Sequence, residues 1–310
     1  MRVKETSSRL TPMIAYGMLV VVMACWAGGV VVARSVHDLV PPVGFSFWRW
    51  FTASILLTPV IVTRIAGEWP VIRRRIGYFA LLGLFMAGAS TILMWAVQFT
   101  TATNVALVSA TQPIVTAIAA WLLLRERLTR LQIAGVAAAL SGIVVMVVRL
   151  DLNVILELSF NPGDGLVVLA VFFYALYSVN LHKWVAGVSP LMMMYMTCVF
   201  ATVVILPFYL AESSLMQTVP LDSRVTAAVF FMAVVPTLIA TTMWNVSVGE
   251  VGANKASVFI NLLPIFGTLL AVAFLNEQLH IYHLIGGVLV CAGVTMVVKT
   301  MNPDELELRE

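Results

Sequence analysis

The sequence predicts an all-α polytopic membrane protein, with ten transmembrane helices arranged as two inverted five-helix repeats. Three observations carry this expectation. Of the 310 residues, 61% are hydrophobic and only 11% are charged, whereas a soluble domain carries about a quarter charged residues. Apolar runs of about 18–25 residues recur from end to end, the length a helix needs to cross a bilayer. Finally, rare residue types recur at one fixed spacing between the two halves of the chain.

In chain order the expected spans are Met13–Ala33, Gly44–Thr63, Ile76–Thr100, Asn104–Leu124, Leu131–Val148, Leu166–Lys183, Val188–Ala211, Val225–Val248, Lys255–Leu275 and His280–Val298. The first follows a basic amino terminus (Arg2, Lys4, Arg9). It is too long for a signal-peptide core and lacks a clear small-residue cleavage site, so it reads as a retained helix. The connections are short and punctuated by Pro41-Pro42, Pro70, Pro162, Pro190 and Pro220, as turns are. No linker or soluble domain interrupts them. Cys25, Cys198 and Cys291 all fall in hydrophobic segments, which is neither a disulfide framework nor a metal-ligand spacing. No metal or cofactor is expected, and no soluble basic face is available for nucleic acid.

Orientation follows from lysine and arginine placement. With the amino terminus in the cytoplasm, the inner segments collect Arg2, Lys4, Arg9, Arg64, Arg73, Arg74, Arg75, Arg125, Arg127, Arg130, Lys183, Lys255, Lys299 and Arg309. The outer loops hold Arg34, Arg149 and Arg224, so the count is fourteen against three, with Arg49 left inside a span. Both termini are expected to be cytoplasmic.

The repeat is read from Pro113, Glu126, Leu128, Gly135 and Gly142, matched by Pro264, Glu277, Leu279, Gly286 and Gly293, each 151 positions later. Proline and glutamate are rare in such a chain, so their shared spacing carries weight. Trp26 to Pro42 and Tyr174 to Pro190 are both sixteen apart, which extends the match to the earlier helices. The units are residues 13–149 and 164–299, flanked by tails at 1–12 and 300–310. Because five helices make each unit, the second copy enters the membrane facing the other way. Inverted repeats of this kind build secondary transporters, in which one scaffold offers an inward-open and an outward-open state.

A proline within the fourth helix of each unit is followed by "RERLT" or "NEQLH" and then by spaced glycines along the fifth. In this the chain resembles the EamA family of the drug/metabolite transporter superfamily, over nearly its whole length. The resemblance implies ten helices, cytoplasmic termini and a central cavity built mainly by helices one to four and six to nine. Helices five and ten would pack outside it. It also implies transport of amino acids or other metabolites, mostly as export, and it makes Glu126 and Glu277 motif residues.

The candidate site residues follow from burial costs. Pro113 and Pro264 free carbonyls four residues earlier, at Ser109 and Ile260, and such backbone survives in lipid only inside protein or along a wet cavity. Gln112 and Asn261 lie beside these breaks, and glue between helices and cavity lining are both open to them. Trp26, Trp95, Tyr174, Tyr177 and Trp244 lie away from the expected span ends, where an indole N–H or phenol O–H needs a partner. Gln98, Asn180 and Asn245 are the neighbouring amides, so aromatic walls with a few amides would suit a small amphipathic solute. Glu126, between Arg125 and Arg127, is expected to pair or gate, with a structural role favoured for it and Glu277. Arg49, in "GFSFWRWF", is read first as an interface anchor that snorkels outward; a substrate carboxylate is the alternative partner. No acidic residue lies near a span centre, which argues against a carboxylate proton relay. His182 and Lys183 read as inner-face anchors, and Trp69 and Trp184 as belt residues.

The leading reading is therefore a secondary carrier exporting amino acids or related small metabolites across a bacterial cytoplasmic membrane. The alternative is uptake of a vitamin or nucleotide-like metabolite. A membrane enzyme would need an intramembrane catalytic cluster and a pore would need charged rings or a filter loop; the spans offer neither. No phosphate-loop motif is present, so ATP is not expected as the direct energy source. Membrane lipid and a small-molecule substrate are the implied partners, and the sequence leaves the oligomeric state open.

Overall fold

The computed structural model describes residues 11–151, 153–156, 161–181, 188–220, 222–275 and 278–300. Among the described residues the regular structure is helix, with no strand. In chain order the α-helices are α1 (Pro12–Val36), α2 (Pro42–Arg74), α3 (Ile76–Ala96), α4 (Ala102–Ser109), α5 (Gln112–Leu124), α6 (Arg130–Val148), α7 (Asn153–Leu156), α8 (Pro162–Leu181), α9 (Pro190–Leu215), α10 (Ser223–Met232), α11 (Thr241–Val251), α12 (Ala253–Val258), α13 (Leu263–Leu275) and α14 (Ile281–Val298). A π-helical stretch, Ala233–Ala240, joins α10 to α11, and a 3-10 turn, Phe259–Leu262, joins α12 to α13. Ten helical stretches are long and apolar enough to cross a membrane, in the order expected from hydropathy.

Local chemistry sets where these helices begin. Proline occupies the first turn of α1, α2 and α9, where its missing N–H costs nothing and its fixed φ already suits a helix. Thr101, Ser189 and Asp222 accept side-chain caps from Asn104, Met192 and Val225. Thr129 and Gln132 bond each other's backbone N–H at 3.2 and 2.8 Å, a reciprocal box that starts α6.

The span ends differ from expectation in informative places. α2 runs on to Arg74 instead of ending at Thr63. Its 33 residues make about 50 Å of helix at 1.5 Å per residue, against an apolar layer of about 30 Å. Arg64 ends the lipid-compatible stretch without ending the helix. α3 stops earlier, at Ala96 instead of Thr100. The fourth and ninth spans are interrupted at 110–111 and at 259–262, each interruption ending two residues before its proline, Pro113 or Pro264.

The spans pair antiparallel in matched ways. Tyr78 Oη donates to the Asn180 carbonyl at 2.8 Å, while Thr100 donates to Asp164, so α3 and α8 run in opposite directions. At the other side, Ser247 Oγ reaches the Ala15 carbonyl at 3.1 Å and Trp26 Nε1 the Pro236 carbonyl at 3.1 Å, so the eighth span lies antiparallel to the first. α2 and α9 cap each other. Glu212 of α9 accepts from Val43 N at 3.2 Å and Gly44 N at 2.6 Å, and Glu68 of α2 accepts from Ser189 N at 2.8 Å. A carboxylate at a helix N-terminus answers both the free N–H groups and the positive end of the helix dipole.

α6 and α14 cross through their glycines. A methyl group on Gly135 would lie 2.7 Å from the Gly293 carbonyl oxygen, and one on Gly142 would lie 2.5 Å from that of Gly286. The two backbones touch because small residues leave room for contact, the usual basis of close helix packing in lipid. Each of these pairings joins a span of the first half to one of the second.

Gly142→Ala should therefore force two backbones apart and lower the melting temperature in detergent, by about 1–3 kcal/mol of overpacking. Gly17→Ala, where nothing lies within 4 Å, is the matched control, and equal melting of both variants would refute the crossing. Glu212→Ala should cost about 1–2 kcal/mol through loss of a charged helix cap. A wild-type melting curve for that variant would show the cap to be idle.

Candidate functional site

The candidate site is assembled where α1, α8, the π-helical stretch and α11 meet. Trp26, Tyr174 and Trp244 form a triangle of rings with centroids 5.3, 5.5 and 5.8 Å apart. Tyr177, one turn beyond Tyr174, donates from Oη to Asn245 Oδ1 at 2.8 Å. Asn245 also points Nδ2 at the Met194 sulfur, 4.0 Å away. Tyr177 and Trp244 are wholly buried, whereas Trp26 and Tyr174 are half-buried. Trp244 Nε1 and the Tyr174 and Ser178 hydroxyls are buried without hydrogen-bond partners. Unmet donors in a dry interior cost about 1–3 kcal/mol each, and a polar solute group could satisfy them.

The π-helical stretch explains how Trp26 is held. Pro236 supplies no N–H to its helix, and its own carbonyl accepts from both Trp26 Nε1 and Thr241 Oγ1, each at 3.1 Å. π-Turns of this kind occur often at functional sites. The proline inside the eighth span was a readable signal that the sequence analysis did not use.

Arg49 is buried, with 7% of its surface exposed. Its guanidinium lies 5.0 Å over the Trp50 ring, and Nε and Nη2 have no hydrogen-bond partner. The favoured outward anchor is thus not adopted; the side chain turns into the bundle.

Other expected site residues separate from the cluster. Trp95 is 46% exposed and stacks edge-on against Phe99, and Gln98 is exposed beside it. Both were placed too deep because the third span was drawn to Thr100, whereas α3 ends at Ala96. Asn180 bonds its own helix at the Leu176 carbonyl, 2.8 Å away, so the amide that meets Tyr177 comes from α11 instead. Gln112 donates to Thr116 Oγ1 at 3.1 Å and to the Val171 carbonyl at 3.2 Å, which joins α5 to α8. Asn261 lies in the 3-10 turn with both amide atoms buried and unpartnered. Pro113 and Pro264 begin the second halves of their broken spans. Glu126 accepts from Asn254 Nδ2 at 2.9 Å and pairs with neither Arg125 nor Arg127 among the described residues. Glu277, His182, Lys183 and Trp184 lie outside the described residues. A surface groove of about 470 Å³ opens between α5 and α6, lined by Ile118, Trp121, Glu126, Arg127, Ile133 and Val136; it lies apart from the aromatic cluster.

Comparison with known proteins bears on this arrangement. Residues 13–148 and 161–299 match the model of the EamA-like transporter family. Among relatives, the chain is 27% identical over 256 residues to the uncharacterized transporter YyaM of Bacillus subtilis, covering 82% of this chain and 83% of that protein. It is 25% identical over 283 residues to a Streptantibioticus cattleyicolor protein named "Probable terminal-alkyne amino-acid exporter", covering 90% and 91%. A crystal structure of a protein superposes with a TM-score of 0.75 at 19% identity, covering 93% of this chain and 98% of that one, and so shares the fold. Ten apolar helices and two family matches in tandem make one conclusion: the chain belongs to the EamA-like transporter family and is an integral membrane transporter, not an enzyme.

Proposed function

We propose that the protein is a secondary carrier that exports amino acids or related small organic metabolites across a bacterial cytoplasmic membrane by alternating access, with both termini in the cytoplasm. The observation that carries this reading is the aromatic and amide cluster of Trp26, Tyr174, Tyr177, Trp244 and Asn245. It lies between the first span of one half and the first and third spans of the other. Rings supply apolar walls, and the unmet Trp244 and Tyr174 donors supply sites for a polar group. The antiparallel pairing of matched helices supports two related conformations that open on opposite sides. An exporter name on a relative that aligns over 90% of the chain supports the solute class.

Counterflow in proteoliposomes tests the reading directly. Preloaded unlabelled aromatic or aliphatic amino acid should drive saturable uptake of the labelled compound, above protein-free vesicles. Linear, non-saturating flux would identify a pore, and absence of exchange in folded protein would remove amino acids as substrates. Tyr177→Phe should slow exchange about tenfold or more by leaving Asn245 buried and unpaired, with unchanged rates showing the pair to be outside the transport path. Orientation is checked by single cysteines: one at Arg130 should label from the cytoplasmic side and one at Asn161 from the outside, and the reverse pattern defeats the assignment.

A further inference from the structure

Arg49 is the charge that the fold leaves unanswered. Its Cα lies seven residues into α2, about 10 Å along the helix. Only 7% of the residue is exposed, and two of its guanidinium nitrogens have no hydrogen-bond partner. No ion pair to Arg49 exists among the described residues. The carboxylates of the bundle are engaged elsewhere: Asp164 with Thr100, Asn104 and Asn161 N, and Glu68 and Glu212 with the first turns of α9 and α2.

A buried, unpaired cation is costly enough that proteins pair it or neutralise it, and arginine does not give up its proton in practice. Among the described residues the compensation in place is the Trp50 ring, whose own N–H is fixed by Ser90 Oγ at 3.2 Å. A cation–π contact is worth about 0.5–2 kcal/mol, which falls short of replacing a counter-ion. Nor does the scaffold need a charge here. The position sixteen-register equivalent in the second half is Thr197, which merely bonds the Met193 carbonyl of its own helix. α2 also packs on the helix that reaches the candidate site: α9, tied to α2 by Glu68 and Glu212, carries Met194, whose sulfur meets Asn245 Nδ2.

We infer that Arg49 is the anion-recognition residue of this site and receives the carboxylate group of the transported solute. The inference rests on the carrier reading for what brings the anion into the bundle. The planar fork can hold a carboxylate through two parallel N–H···O bonds. The Trp50 ring and its fixed Ser90 contact hold the side chain in place. Analogues without a carboxylate bring no negative charge to offset the buried cation, so the site selects acids over their amides and over amines that lack the carboxyl group.

The test uses purified full-length protein in detergent and compares phenylalanine and leucine with phenylalaninamide, leucinamide and phenethylamine. The acids should raise the melting temperature of the wild-type protein and the amides and amine should not. Arg49→Gln should abolish the preference for the acids, weakening their binding at least tenfold while changing that of the amides less than threefold. Arg49→Lys keeps the charge and loses the fork. It should weaken acid binding by about tenfold, and it carries the comparison if the glutamine variant does not fold. An unchanged acid-to-amide ratio in either variant overturns the inference, as does a wild-type protein that no acid stabilises. Chloride reproducing the Arg49-dependent shift assigns the site to an inorganic anion and also overturns it. Failure is separable from that of the carrier reading. Counterflow with an unchanged acid-to-amide ratio in the variants sinks the role of Arg49 alone. Arg49-dependent acid binding without counterflow sinks carriage of these solutes while the anion site stands.

Discussion

The constraint on which this structure depends is that lipid offers no hydrogen bonds to a polypeptide backbone. Every carbonyl freed by a break in a helix must find a donor within the protein. Three spans are broken, and each break comes with its own donors. At the first, Thr111 returns its hydroxyl to the Val108 carbonyl at 2.6 Å. In the π-helical stretch, Thr237 and Thr241 reach the carbonyls of Met232 and Pro236, five residues back, at 2.8 and 3.1 Å. Before the third, Ser257 bonds the Asn254 carbonyl at 2.9 Å. The Pro236 carbonyl takes a second donor from another helix, Trp26 Nε1, and this is how a backbone repair becomes part of the site. Trp26 is oriented by that bond, and its ring in turn positions Tyr174 and Trp244.

Much of the fold was legible because hydropathy and capping are local. Ten spans, their order and the breaks near Pro113 and Pro264 follow from residues within a few positions of each feature. The paired halves were legible because Pro113 and Pro264 are too rare to share a spacing by accident. What escaped was whatever depends on length beyond the lipid or on distant partners. Gly67 and Pro70 read locally as a stop, yet α2 runs through both to Arg74. Trp95 was misplaced by one helical turn at the end of its span, and that turn decides between interior and surface. The Tyr177–Asn245 bond joins residues 68 apart. Sequence proximity offered Asn180 instead, but an amide three residues along the same helix is better placed to bond its own preceding turn, as Asn180 does.

The two halves share a scaffold but not a site. Matched glycines cross at Gly135–Gly293 and Gly142–Gly286, and glutamates cap the opposed first turns of α2 and α9. These elements are under a geometric demand that both halves must meet. The chemistry-bearing positions differ: Trp26 stands opposite Tyr174, Arg49 opposite Thr197, and Pro236 has no proline counterpart anywhere in α3. A solute with different ends needs this asymmetry, since a two-fold symmetric pocket would present each end with the same groups.

Asymmetry also decides which interactions can be permanent. Contacts that hold the halves together must survive a change of conformation, and backbone-to-backbone glycine crossings suit that role because they contain no side chain to repack. The site has the opposite property. Its donors at Trp244, Tyr174 and Arg49 lack hydrogen-bond partners, at about 1–3 kcal/mol for each neutral group. In the carrier proposed above, a solute that supplied those partners would favour whichever conformation buries these groups, because a ligand shifts an equilibrium only by its differential affinity for the two states. The incompleteness of the polar network is the feature through which recognition would bias that equilibrium.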